Sequence, residues 1–140
     1  MRFTLSVARR RAEPLTLGWL DLDRFKEIND RYGHEEGDKA LKVMAQLMRS
    51  AFREADMLVR FGGDEFAVLF ADTDEQGAWI AMQYLAEQVE SYNARKLHPW
   101  SLHFSWGLSE FDHNGNDLQQ WLKDADEKMY AMKQQRQRAR

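Results

Sequence analysis

Hydrophobic positions along this chain switch between alternating or continuous runs and spacings of three and four, and the switches mark out its elements. Leu15-Thr16-Leu17-Gly18-Trp19-Leu20-Asp21-Leu22-Asp23 carries apolar residues on both faces, which predicts a strand in the middle of a sheet. Arg24 to Tyr32 reads as one or two helical turns stopped at Gly33-His34. Gly37-Asp38 then opens a long helix with Ala40, Leu41, Met44, Leu47, Met48, Ala51 and Phe52 at helical spacing, a core-facing stripe. Met57-Leu58-Val59 and Phe66-Ala67-Val68-Leu69-Phe70 flank a Gly-Gly bend and predict a β-hairpin. Thr73 or Asp74 caps a further helix, whose apolar stripe is Trp79, Ile80, Met82, Leu85, Ala86 and Val89. Pro99 precedes a strand over Trp100 to Gly107, a Gly/Asn-rich turn covers Asp112 to Asn116, and a last helix runs from Asp117 through Lys133. Before all of these, Met1 to Pro14 hold a short helical pattern (Phe3, Leu5, Val7, Ala8). Arg9-Arg10-Arg11 follow it as a solvated helix end rather than a phosphate site. The order β-α-α-β-β-α-β-α predicts an α/β fold with helices flanking a central, mostly antiparallel sheet.

Composition narrows the partners. A chain of 140 residues, 44% apolar and 31% charged, is one domain able to bury a core. A net charge of −3 gives no general attraction to nucleic acid polymers or anionic membranes, so any nucleotide partner requires a local site. Absence of cysteine removes disulfides, thiolate zinc sites and cysteine nucleophiles. No apolar run approaches the roughly 18 residues of a membrane span, and Met1-Arg2-Phe3 opens no signal-peptide pattern, so a cytoplasmic location is expected.

The candidate chemistry gathers at the hairpin, Arg60-Phe61-Gly62-Gly63-Asp64-Glu65-Phe66. Two glycines allow positive φ at the bend and leave the space above it open. Two acids follow where a hairpin ordinarily carries neutral turn formers. Adjacent carboxylates repel, and a divalent cation reverses that; a solvated acidic turn explains the same string equally well. Asp21 and Asp23 end the first strand on one face by its period of two, with a helix-capping role equally open for Asp23. If that strand end lies beside the hairpin tip, Asp21, Asp64 and Glu65 meet in one cleft. Three hard-oxygen acids without histidine or cysteine suit Mg2+ or Mn2+ and a phosphoryl or nucleotidyl transfer. Lys26 and the backbone amides of Arg24 and Phe25, opening a helical turn, can reach a triphosphate. Asn29 and Asp38 add an amide and a carboxylate, groups that suit a guanine edge.

These residues resemble the GGDEF domain of diguanylate cyclases. Gly62-Gly63-Asp64-Glu65-Phe66 spells the name-giving motif without a change. Asp21-Leu22-Asp23-Arg24-Phe25-Lys26-Glu27-Ile28-Asn29-Asp30, Tyr32-Gly33-His34, Gly37-Asp38, Ser105-Trp106-Gly107, and Ala125-Asp126 through Tyr130 to Lys133 follow its pattern in order. The resemblance covers about residues 3 to 135 and implies the palm-like fold of nucleotide cyclases. It implies that Asp21 and Asp64 hold two Mg2+ ions with the Leu22 carbonyl, and that Glu65 binds metal or activates the ribose 3′-hydroxyl. Asn29 and Asp38 would read guanine, and Lys26 and Lys133 would neutralise triphosphate charge. The implied reaction condenses two GTP into cyclic di-GMP with release of two pyrophosphates, across a transient homodimer in which each domain holds one GTP.

Arg53-Glu54-Ala55-Asp56 matches the family's RxxD inhibitory site in place, with Arg53 and Asp56 facing the product cyclic di-GMP. RxxD is also a common string that a surface helix-end pair accounts for. Two departures stand out. The stretch that usually precedes the first helix in the family is missing, so a truncated N-terminal edge and an upstream sensory domain are expected. Gln137 stands where the family tends to have arginine, leaving Arg136 or Arg138 to supply that charge. A catalytically inactive GTP- or cyclic di-GMP-binding module and a pure dimerisation scaffold are the alternatives; the intact acids favour the enzyme.

Overall fold

The structure is a computed structural model that describes residues 13–115 and 117–139. Among the described residues four strands, β1 (Leu15–Leu22), β2 (Met57–Gly62), β3 (Glu65–Ala71) and β4 (Phe104–Glu110), combine with four helices in the order β-α-α-β-β-α-β-α. The helices are α1 (Phe25–Tyr32), α2 (His34–Ala51), α3 (Glu75–Ala94) and α4 (Leu118–Ala139). The strands form one sheet in the order β2-β3-β1-β4, every pair antiparallel. The predicted helix within residues 1–14 and the arginine cluster fall on residues that, apart from Glu13 and Pro14, lie outside the described ones. No helix among the described residues is long and apolar enough to cross a membrane.

β1 is central because its side chains are apolar on both faces. Leu20 and Leu22 join Phe66, Val68 and Phe70 under α2 and α3. Leu15 and Leu17 join Ala67 and Leu69 on the other face, closed by Trp121 and Ala125 of α4. α2 buries Ala40, Leu41, Met44 and Met48, the predicted stripe. α3 departs from its prediction: it buries Ala78, Met82, Leu85 and Val89, whereas Trp79 and Ile80 stand half exposed. At 100° per residue, positions 79 and 80 turn away from the line through Ala78 and Met82.

Two boundaries also differ. α2 starts at His34 because Gly33 (φ 94°) ends α1 and begins α2 at once, its carbonyl already accepting from Gly37 N–H at 3.1 Å. β4 starts at Phe104 rather than Trp100. The Asn93 side chain accepts from Leu102 N–H (2.9 Å) and donates to its carbonyl (2.8 Å), satisfying that backbone outside the sheet.

β4 is an edge strand, and α4 lies along it. Lys128, Met132 and Arg136, four residues apart, reach the backbone of Leu108 (O, 3.1 Å), Trp106 (N–H to Sδ, 3.4 Å) and Phe104 (O) in turn. Such cover blocks pairing with another chain. It also fixes the helix that carries Lys133.

Candidate active site

The sheet register brings the acids together. Asp21 lies directly across from Glu65, and Leu22 N–H donates to the Asp64 carbonyl at 3.2 Å, so the end of β1 and the hairpin tip share one hydrogen-bonded layer. The tip needs its glycines: Gly62 has φ 118° and Gly63 φ 51°, next to a bulge after Arg60. Added Cβ atoms there would meet nothing within 4 Å, so the space above the tip is open.

Arg60 braces this turn. Its Nε and Nη2 donate to the Gly63 carbonyl at 3.2 and 2.9 Å. Nothing in the string marked this role, because an arginine three residues before a glycine carries no pattern. Arg60→Ala is expected to weaken Mn2+ binding several-fold by loosening the turn that aims Asp64, with Arg60→Lys recovering part of the loss. Equal Mn2+ affinity in parent and Arg60→Ala by calorimetry would remove the bracing role.

Asp21 is the electrostatic centre. Burial, then the neighbouring Asp64 carboxyl, pushes it from the ordinary 3.8 up to about 7, against the lowering pull of Lys133. Lys133 Nζ donates to Asp21 Oδ2 at 2.7 Å and lies 3.4 Å from the Leu22 carbonyl. Asp21 Oδ1 is buried without a hydrogen-bond partner. An orphaned carboxylate oxygen, a second carboxyl against it, and an ammonium seated on Asp21 and a backbone carbonyl fit a hard divalent cation.

The three-acid cleft is only partly realised. Among the described residues no three acidic or histidine side chains gather as a metal cluster. Asp21 and Asp64 pair, while Glu65 Oε1 accepts from Trp19 Nε1 at 3.5 Å, and Trp19 in turn stacks on Phe61 at 4.8 Å. Trp19 was legible only as an apolar strand residue, although its parity with Asp21 places both on one face. Asp23 turns inward instead of joining the site: it accepts from Ser105 Oγ at 2.7 Å and pairs with Arg136 at 3.6 Å. That engagement ties Arg136 to Asp23 and the Phe104 carbonyl, while Arg138, on the other side of Gln137, is exposed.

The remaining predicted residues flank this centre. Arg24 adopts the left-handed conformation (φ 58°) and starts α1, placing the amides of its first turn just past the acidic strand end, with Lys26 exposed there. The Asn29 amide lies against Gly37, one residue before Asp38. Asp38 opens onto a groove of about 520 Å³ between α2 and the hairpin, floored by Leu41, Leu58 and Phe66 and rimmed by Lys42, Arg49 and Arg60. Arg53 and Asp56 stand apart. Arg53 Nη2 contacts Asp56 (2.9 Å), the Ala71 carbonyl (2.7 Å) and Thr73 Oγ1 (2.8 Å) at the far end of β3, roughly 20 Å of strand from the hairpin tip.

A four-stranded antiparallel sheet flanked by helices, with paired carboxylates where its central strand meets a glycine hairpin, defines the palm-like fold of nucleotide cyclases. Within that class the chain belongs to the GGDEF family: the family model described as "Diguanylate cyclase, GGDEF domain" matches residues 2–139. It is 33% identical over 133 residues to the probable diguanylate cyclase DgcC of Escherichia coli, covering 95% of this chain and 36% of that protein. It is 36% identical over 121 residues to the cyclic di-GMP phosphodiesterase NbdA of Pseudomonas aeruginosa, covering 86% of this chain and 16% of that protein. The chain thus spans little more than a third of the first relative and about a sixth of the second. Among solved structures, the active GGEEF domain of a Vibrio cholerae diguanylate cyclase superposes with a TM-score of 0.83 at 25% identity, covering 95% of this chain and 85% of that one.

Proposed function

We propose that this domain is a diguanylate cyclase that condenses two GTP into cyclic di-GMP. The observation that carries the reading is the Asp21–Asp64 carboxyl pair beside the Leu22 carbonyl, with the groove of about 520 Å³ that Asp38 lines between α2 and the hairpin. Asp21, the Leu22 carbonyl and Asp64 would hold Mg2+, with Glu65 beside them. Bound there, the metal supplies charge neutralisation to the α-phosphate and the leaving pyrophosphate. Asp38, with Asn29 behind it, accepts from the guanine edge. Lys26 and the first-turn amides of α1 take the triphosphate, helped by Lys133. Glu65 takes the proton of the attacking 3′-hydroxyl. Two domains face each other so that each 3′-oxygen bonds to the other nucleotide's α-phosphorus as pyrophosphate leaves.

Incubation of concentrated protein with GTP and Mg2+, with products identified by mass, tests this directly. Cyclic di-GMP with two pyrophosphates per product is expected. GTP bound but never turned over would favour a regulatory binding module. The match to a protein named a phosphodiesterase keeps that second reading in view, since a domain of this kind also sits in a protein named for the opposing activity.

We assign product inhibition to Arg53 and Asp56. Their pocket, about 320 Å³ and also lined by Phe52 and Arg49, is separate from the acidic centre. Arg53→Ala is expected to weaken cyclic di-GMP binding at least tenfold, the scale of a lost bidentate contact, and to leave initial turnover intact. Unchanged product affinity in calorimetry would refute it. Because Arg53 also joins the Ala71 carbonyl and Thr73, a modest loss of melting temperature should accompany the change.

A further inference from the structure

We propose that Lys133 is an exchangeable internal cation: it sits on the oxygens assigned to the metal and passes to the substrate's triphosphate when metal and nucleotide bind. The inference rests on the metal assignment just made.

Three observations carry it. Lys133 Nζ sits on Asp21 Oδ2 (2.7 Å) and near the Leu22 carbonyl (3.4 Å), two of the oxygens assigned to the metal. The pair is largely enclosed, with side-chain exposures of 19% for Lys133 and 14% for Asp21, so the contact is not a surface ion pair that water screens. The helix bearing it is tied down on either side of the lysine, by Met132 on the Trp106 amide and Arg136 on the Phe104 carbonyl and Asp23. The backbone at 133 is therefore held while the flexible lysine stem stays free to swing.

A divalent ion at Asp21 cannot share those oxygens with an ammonium, because like charges at contact distance repel strongly in a partly dry site. Metal binding therefore ejects Lys133, and the cost falls when a polyphosphate offers the ammonium a new partner. Metal and nucleotide then bind with positive coupling, and linkage makes the coupling reciprocal. With Lys133 on Asp21 the domain has a low affinity for metal alone.

The test measures Mn2+ binding by electron paramagnetic resonance at about pH 8.5, where ordinary carboxylates are ionised. Parent, Lys133→Met, Lys133→Gln and Asp21→Asn are compared with and without 3′-deoxy-GTP, which lacks the attacking hydroxyl. Without nucleotide, both Lys133 variants should bind Mn2+ about tenfold more tightly than parent, the middle of the usual coupling range. Nucleotide should tighten Mn2+ in the parent much more than in the variants. Asp21→Asn should bind poorly throughout. If Asp21→Asn loses Mn2+ while the Lys133 variants match the parent without nucleotide, the exchange is wrong and the metal site stands. If Asp21→Asn binds as the parent does, the metal assignment fails, and the exchange with it. Lys133→Gln keeps a polar group at the position and carries the comparison if Lys133→Met does not fold.

Discussion

Asp64→Asn is expected to lower cyclic di-GMP formation on the order of 10²- to 10³-fold, the scale of losing a stabiliser of transition-state charge, while making the metal-free domain more heat-stable. The two effects have one cause. Burial raises the Asp21 carboxyl most, and Asp64 adds to it through hydrogen bonding and charge, to about 7. A carboxyl held above its unfolded value binds its proton more tightly in the folded state, so stability falls as pH rises from about 4 to about 7. The amide removes the repelling charge, bringing Asp21 part of the way down and relieving the share of that loss that Asp64 causes, while burial's share stays. The hairpin keeps its shape because the Asp64 carbonyl, not its side chain, meets Leu22 N–H. Thermal melts in EDTA should place the variant above the parent near pH 8, with the gap closing towards pH 4. Retained activity within a few-fold of the parent would eliminate Asp64 as a metal ligand, and a lower melting point at pH 8 would contradict the electrostatics.

Gly107→Ala is expected to be the most destabilising small substitution in the sheet. A Cβ at 107 would run into the Ala125 carbonyl, the Met129 amide and Lys128 Cβ, two of them backbone of α4 that no rotamer change can move aside. Overpacking of this kind costs about 3 kcal/mol at the upper end of its usual range, which lowers the melting temperature of a domain this size by roughly 6–12 °C. The damage should also reach the site. α4 would be pushed from the β4 edge, drawing Lys133 from Asp21 and Arg136 from Asp23. Reduced GTP affinity beside the melting shift would follow, read by calorimetry at a temperature where the variant is folded. A melting temperature within a degree or two of the parent would mean that α4 has slack at this contact.

Much of the site was readable before the fold. Asp64 and Glu65 are two acids following two glycines, a string that a solvated turn explains equally well until Asp21, an acid ending an otherwise buried strand, is set beside them. The pattern also placed β1 at the centre of the sheet, since only a central strand needs apolar side chains on both faces. Where the reading failed, the cause was local. Trp79 and Ile80 looked like stripe residues because large apolar side chains dominate a helical pattern even when small Ala78 marks the buried line. Trp100 and Leu102 are buried as a β-strand would bury them, yet Asn93 captures the Leu102 backbone and keeps it from the ladder.

The sequence by itself determined the order and type of the elements, the central strand, and the short-range chemistry of the glycine hairpin, because periodicity and turn stereochemistry act over a few residues. Tertiary structure alone decided which charges meet. Asp21 and Lys133 are 112 positions apart, and Asp23 and Ser105 82 apart. No local pattern encodes such pairs; they follow from the register of β1 against β3 and β4 and from the line α4 takes along the sheet edge. For the same reason Glu65, adjacent to Asp64 in the chain, turns to Trp19 rather than to the acidic pair. Glu65 lies across from Asp21 on the face that also carries Trp19, and the indole N–H, not the carboxyl pair, is the partner it finds there.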